Sequence, residues 1–275
     1  GNPYPSAIDW DNVYSNNTSL GTTVYIRIAN NVYANYNQAT GTGTNGPPGW
    51  TGQIAMGQSF WIDNTNAVGS VNFTESMKSD LGTGSFLKEE GPAPNVLKIR
   101  LMSEEESDET VVFISEGATD LFEPEFDGKK QLNGYYDSDL GMQTVMNLAS
   151  FNVTDPYEIF VFNGINSDFC TKEVGIEIRD ISEGSFALEV PNSTVGAYNV
   201  TLIDEFTDQE TLLKEGSIYN FGVTSDMNSF GKERFKLLFS AVSVDDISEP
   251  NSVAINSCSS DLLQFDLTDV QDGFY

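Results

Sequence analysis

The sequence contains no histidine, which removes Ser-His-Asp and Cys-His catalytic groups, histidine-based zinc sites and any imidazole general base. Cysteine occurs only twice, at Cys170 and Cys258. That is too few for a thiolate metal cluster or a dense disulfide framework, and the spacing leaves open whether the two pair with each other, stay free or pair elsewhere. Positive charge is scarce as well, with 13 Lys and Arg against 41 Asp and Glu and a formal net charge of -28. Nucleic acid is therefore not an expected partner, because phosphate binding needs clustered Lys and Arg, and an anionic membrane surface would repel the chain. No run of 18 apolar residues occurs, so no direct membrane insertion through a helix is expected.

What is present is enough to fold. The 275 residues are 39% hydrophobic and 12% aromatic, with 18 Phe and 11 Tyr, so the acid belongs on the surface of a packed chain and not to a disordered tail. Period-2 alternation recurs at Leu97-Ile99-Leu101, Phe186-Leu188-Val190, Tyr198-Val200-Leu202, Tyr219-Phe221-Val223 and Phe235-Leu237-Phe239. Turn residues such as Glu183-Gly184 and Glu215-Gly216 separate the runs. Strands at this spacing predict an all-β chain of antiparallel β-sandwich modules, jelly-roll or Ig-like, with little helix. Val111 to Ile114 and Tyr157 to Phe162 are continuous apolar runs, suited to strands buried on both faces.

Texture divides the chain. Residues 1–88 are rich in Asn, Thr, Gly and Tyr and read as an N-terminal β-module; residues 89–243 carry the regular alternation and read as the sandwich. A boundary is expected between about 85 and 95, near Gly91-Pro92-Ala93-Pro94. Residues 244–275 read as a linker around Ser248-Glu249-Pro250-Asn251 and the opening of a further Ig-like repeat at Cys258-Ser-Ser-Asp-Leu-Leu.

The phrase Gly1-Asn-Pro-Tyr-Pro-Ser-Ala-Ile-Asp-Trp-Asp11 carries a resemblance. With Gly57-Gln58-Ser59-Phe60-Trp61-Ile62, Ser107-Asp108-Glu109-Thr110-Val111-Val112 and Gly117-Ala118-Thr119-Asp120 following in order, the chain resembles large secreted cell-surface proteins of Bacteroidota. Many of those are type IX secretion cargo of the gliding or adhesin kind. The resemblance covers roughly residues 1 to 241 and implies an extracellular β-rich module of a long chain extending in both directions. Its implied partners are neighbouring domains of that chain, surface glycans or other cell-surface proteins. It implies no one activity. The function expected is structural or adhesive and non-catalytic, with a carbohydrate-binding module as the alternative.

Candidate sites follow from residue chemistry. The pairs Asp9/Asp11 and Asp137/Asp139 hold carboxylates two apart, but no second element of glycosidase chemistry accompanies them. Calcium is the sharper reading of acidic loops, since it takes hard oxygen ligands. Asp120, Glu123, Asp127, Asp137 and Asp139 are the candidate ligands, against the plain alternative of solvated acidic loops. Glu104 to Glu109 reads as a charged hairpin connection on the surface, with Asp108 and Glu109 as possible exceptions because they belong to the resembling phrase. For a ligand, Trp50 in its Pro-Pro-Gly loop, with Tyr33 and Tyr36, is the candidate sugar-stacking platform. Trp61 is expected to be buried.

Overall fold

The structure is a computed structural model and describes residues 1–28, 32–63, 70–79, 95–137, 139 and 141–242. The expected boundary at 85 to 95 falls almost wholly outside the described residues, as does the segment 244–275 with Cys258.

Seven short strands open the chain: β1 (Ala7–Asp9), β2 (Thr23–Arg27), β3 (Tyr33–Asn37), β4 (Thr42–Thr44), β5 (Gln53–Ile54), β6 (Trp61–Ile62) and β7 (Lys78–Ser79). One helix, α1 (Trp10–Ser15), follows β1 and is capped by the Asp9 side chain, which accepts from the Asn12 backbone N–H. These strands make a three-stranded sheet in the order β5-β1-β7 and a four-stranded sheet in the order β4-β3-β2-β6. Ile8, Trp10, Val13, Val24, Tyr36, Ile54 and Met77 form their common core. The opening phrase is structural here. Buried Asn2 donates through Nδ2 to the carbonyls of Ser6, Ile54 and Ala55 and accepts from the Tyr4 N–H. The Trp10 indole N–H donates to the Thr22 carbonyl at 2.7 Å.

The rest of the chain gives β8 (Val96–Met102), β9 (Ser107–Ile114), β10 (Gly128–Lys129), β11 (Gly134–Asp137), β12 (Gly141–Thr144), β13 (Asn147–Asn152) and β14 (Asp155–Ile165). It continues with β15 (Thr171–Arg179), β16 (Gly184–Ser193), β17 (Tyr198–Asp204), β18 (Gln209–Leu213), β19 (Ile218–Val223) and β20 (Gly231–Ala241). β11 and β12 pair as a separate hairpin. The others form one long sheet, β18-β17-β20-β15-β13-β14-β9-β8-β16-β19, with β10 added beside β14. The all-β class is as the alternation predicts. Within that class, one long, curled, barrel-like sheet encloses the main core. The β9–β14 pairing is parallel.

Bulges let the sheet curl. Register shifts fall between Ser150 and Asn152, between Ile176 and Ile178, and between Glu189 and Asn192, and each extra residue bends its strand and increases the local twist. The last contains Pro191, which has no N–H to give to a ladder. Inside, Leu97, Ile99, Leu101, Val112, Leu148, Ile176, Leu188, Val200, Leu202, Phe221, Phe235 and Leu237 share one cluster, with Phe186 and Tyr198 partly buried against it. The apolar residues of the five alternating runs therefore face this core.

β9 is buried on both faces, as its continuous apolar run predicts. Val112 and Ile114 enter the barrel core. Val111 and Phe113 join an outer cluster with Tyr25, Val96, Val161 and Phe162, with Tyr33 packed against it. Because Tyr25 and Tyr33 come from β2 and β3, the N-terminal sheet covers the outer wall of the barrel. Each fully buried side chain of this size contributes about 1.5–3 kcal/mol. The parallel reading of β14 holds only from Phe160 onward, since Tyr157 is 91% exposed.

The edges β18 and β19 meet at a seam. The Tyr219 hydroxyl on β19 donates to Asp204 Oδ2 at 2.9 Å and to Gln209 Oε1 on β18 at 3.2 Å. Asp204 also pairs with Arg234, both side chains essentially unexposed, and the guanidinium lies near the rings of Phe206, Phe221 and Phe235. Burial pushes the Asp204 carboxyl up, but the Arg234 and Tyr219 hydrogen bonds outweigh it and hold it below its ordinary value.

Candidate functional site

The chemistry concentrates where the 43–50 loop crosses the barrel wall. On β8, alternation sends Leu97, Ile99 and Leu101 inward, so Lys98 and Arg100 stand on the outer face beside Glu109 of β9. Arg100 Nε and Nη2 reach Glu109 Oε1 at 2.8 and 2.7 Å, and Nη1 reaches Glu189 Oε2 on β16 at 3.1 Å. Burial would weaken the guanidinium's hold on its proton, but the two carboxylates outweigh this and raise its pKa further. Lys98 donates to the Gly43 carbonyl and stands 3.7 Å from Glu109 Oε2.

Asn45 locks the loop to the wall. Its backbone N–H donates to Glu109 Oε2 at 2.8 Å and its Nδ2 to Asp108 Oδ1 at 2.7 Å. Its φ of 54° lies in the left-handed region, which Asn tolerates better than most residues. Asp108 is fully buried, pairs with Lys130 and accepts from the Leu148 N–H at 2.7 Å. Asp108 and Glu109 are thus interior groups, unlike the turn at Ser103–Glu106, which the Ser103 hydroxyl closes by accepting from the Glu105 and Glu106 N–H groups.

A cavity of about 300 Å³ opens between loop and wall, lined by Gly43, Pro47, Pro48, Trp50, Lys98, Arg100 and Glu109 among others. A second, of about 410 Å³, shares Gly46, Arg100 and Glu109 with it and runs on towards Met102 and the Glu104–Ser107 turn. Trp50 is half-buried, with its indole N–H donating to the Gln53 carbonyl at 2.8 Å. A Cβ on Gly46 would lie 2.4 Å from the indole, so only glycine fits there.

The expected aromatic platform is not assembled. Tyr33 and Tyr36 are three apart on β3, and successive strand residues point to opposite faces. Tyr36 is buried edge-on to Trp50, with its hydroxyl donating to Asp11. Tyr33 lies on the other side, 5.7 Å edge-on from Trp61. Trp61 is 47% exposed and corrects the expectation of a buried ring: on the two-residue edge strand β6 its neighbours Phe60 and Ile62 pack against the core and Trp61 points away.

Of the acidic residues expected as calcium ligands, Asp120, Glu123 and Asp127 are engaged by protein groups. Asp120 pairs with Lys172 and accepts from Thr154 at 3.2 Å. Glu123 Oε2 accepts from the Thr119 N–H. Asp127 is buried and accepts from the Glu123 and Gly164 N–H groups at 2.7 and 2.8 Å. Burial pushes its pKa up to about 7, although both backbone bonds pull the other way. Asp137 ends β11, and Asp139 is exposed in the following turn. Among the described residues no three acidic or sulfur ligands converge as a metal group would require.

Lys98, Arg100 and Asn45 are the site residues that sequence reasoning missed. A signal existed: in a chain with 13 basic residues, two of them alternate on one strand whose hairpin partner carries Asp108-Glu109. Cys170, immediately before β15, is disulfide-bonded.

No curated protein and no solved structure matches the chain. A family model does match, over residues 1–239, which takes in both N-terminal sheets, the 43–50 loop and nearly the whole barrel. The chain belongs to the family described as "Domain of unknown function (DUF8693)".

Proposed function

We propose that the chain is a non-catalytic structural and adhesive module presented outside the cell as part of a surface protein. The observation that carries this is how the interior charges are used. Asp108 joins Lys130, the Leu148 backbone and the 43–50 loop; Asp204 joins Arg234 and the seam tyrosine; Asp127 binds two backbone N–H groups. Each of these three buried acids fastens one element to another, which is a structural use of charge. A disulfide at Cys170 suits an oxidising compartment, and the strong negative charge keeps an exposed chain soluble.

The test is retention under flow. Beads coated with the whole chain are expected to be held on polysaccharide- or protein-coated glass more strongly than beads carrying an equally acidic control protein. Retention no better than the control, or release of product from a panel of glycoside, ester and peptide substrates, would sink the reading.

A further inference from the structure

We propose that the cleft between the 43–50 loop and the outer face of β8 is a binding site for a neutral saccharide. Three observations converge on that ligand class. The first is shape and surface: one wall is apolar, made of Pro47, Pro48 and Trp50, and the facing wall is a row of fixed polar groups from Lys98, Arg100 and Glu109. A pyranose has the matching character, with C–H faces that stack on an aromatic ring and a rim of hydroxyls that both donate and accept. At about 300 Å³ the space is at the small end of ligand sites, and it continues into the neighbouring cavity, so a short oligosaccharide has room to extend.

The second is charge. Lys98 and Arg100 of the polar wall are matched by Glu109 beside them and by Glu189 on β16, so the two cations and two anions sum to no net charge. The continuation past Ser103 is lined by Glu104, Glu105 and Glu106, and the whole chain carries -28. An anionic ligand meets repulsion there, and a cationic one meets Lys98 and Arg100 in the wall. A neutral ligand meets neither.

The third is preorganisation. Arg100 is fixed by Glu109 and Glu189 on two different strands, with guanidinium N–H groups left over beyond the three those contacts use. The loop wall is pinned by Asn45 to Glu109 and Asp108, by Lys98 to Gly43, and by the fit of Gly46 against the indole. Donors held in place before the ligand arrives lose little freedom on binding. The site differs from a Trp50-Tyr33-Tyr36 platform, since neither tyrosine lines it. It stands or falls separately from the adhesive reading, because it requires binding in solution and no attachment to a surface.

The experiment titrates the whole chain with soluble neutral gluco-, manno-, galacto- and xylo-oligosaccharides, with uronic-acid and amino-sugar oligomers as charged counterparts, by calorimetry. The native chain is expected to bind at least one neutral series. Trp50→Ala and Glu189→Gln are each expected to weaken that binding about tenfold or more, while Tyr157→Ala, exposed and outside the cleft, leaves it unchanged. Glu189→Gln keeps the question open to refutation if Trp50→Ala fails to fold, since it removes only the charge of a partly exposed partner of Arg100. The proposal is overturned if no neutral series binds, if only charged oligomers bind, or if Glu189→Gln binds as tightly as the native chain.

Discussion

Asp127 shows how one carboxyl makes the molecule respond to pH. Its folded value of about 7 lies above the ordinary aspartate value of about 3.9 expected once the chain unfolds. Between those values the folded chain holds the extra proton, so the contribution is complete below about 3.9 and is lost as pH rises through about 7. The urea midpoint is therefore expected to fall from pH 5 to pH 8, and Asp127→Asn to flatten that fall. Asparagine offers one carbonyl oxygen to two N–H donors, from Glu123 and Gly164, so the variant should also be less stable by about 1–3 kcal/mol. An unchanged slope in the variant would remove Asp127 as its source. At this scale the sequence is least readable: Asp127 stands among acidic neighbours, and nothing local says that its oxygens turn inward to the backbone N–H groups of Glu123 and Gly164.

At the scale of the element, β15 depends on a missing side chain. Gly175 pairs with Phe151 of β13, and a Cβ on Gly175 would lie 2.1 Å from the Phe151 ring. The ring covers the glycine, and neither can change alone. Gly175→Ala is expected to lower stability by about 1–3 kcal/mol in urea unfolding, and adding Phe151→Leu should recover part of the loss; a fully additive double variant would refute the coupling. The strands themselves were legible because period-2 alternation reports a buried face directly, as at Leu97-Ile99-Leu101 and Phe235-Leu237-Phe239. The order of the strands in the sheet was not. Alternation says that a face is covered but not by what, so one curled sheet and two stacked sheets read alike. The three-residue spacing of Tyr33 and Tyr36, by contrast, already places them on opposite faces of any strand, and the platform expectation overlooked it.

For the whole molecule, the outer cluster of Tyr25, Val96, Val111, Phe113, Val161 and Phe162 belongs to the N-terminal sheet and the barrel together. Neither can unfold without exposing the other's apolar wall. All three tryptophans, Trp10, Trp50 and Trp61, lie in the N-terminal part, whereas far-ultraviolet circular dichroism is dominated by the long sheet. Thermal unfolding followed by the two signals should give superimposable curves, and two separated transitions would show that the parts melt independently. The charge is organised at this scale too: among the described residues, ten basic side chains stand within ion-pair distance of a carboxylate. Finally, the ladder order dictates a sequence of events at the ribosome. The β8–β9 hairpin emerges early, yet its flanking strands β14 and β16 come much later, so Leu97 must wait for Ser193. In that interval the nascent hairpin has two unpaired edges, and Lys98, Arg100, Glu109 and the Glu104–Glu106 turn supply the charge that keeps such edges from joining those of other growing chains.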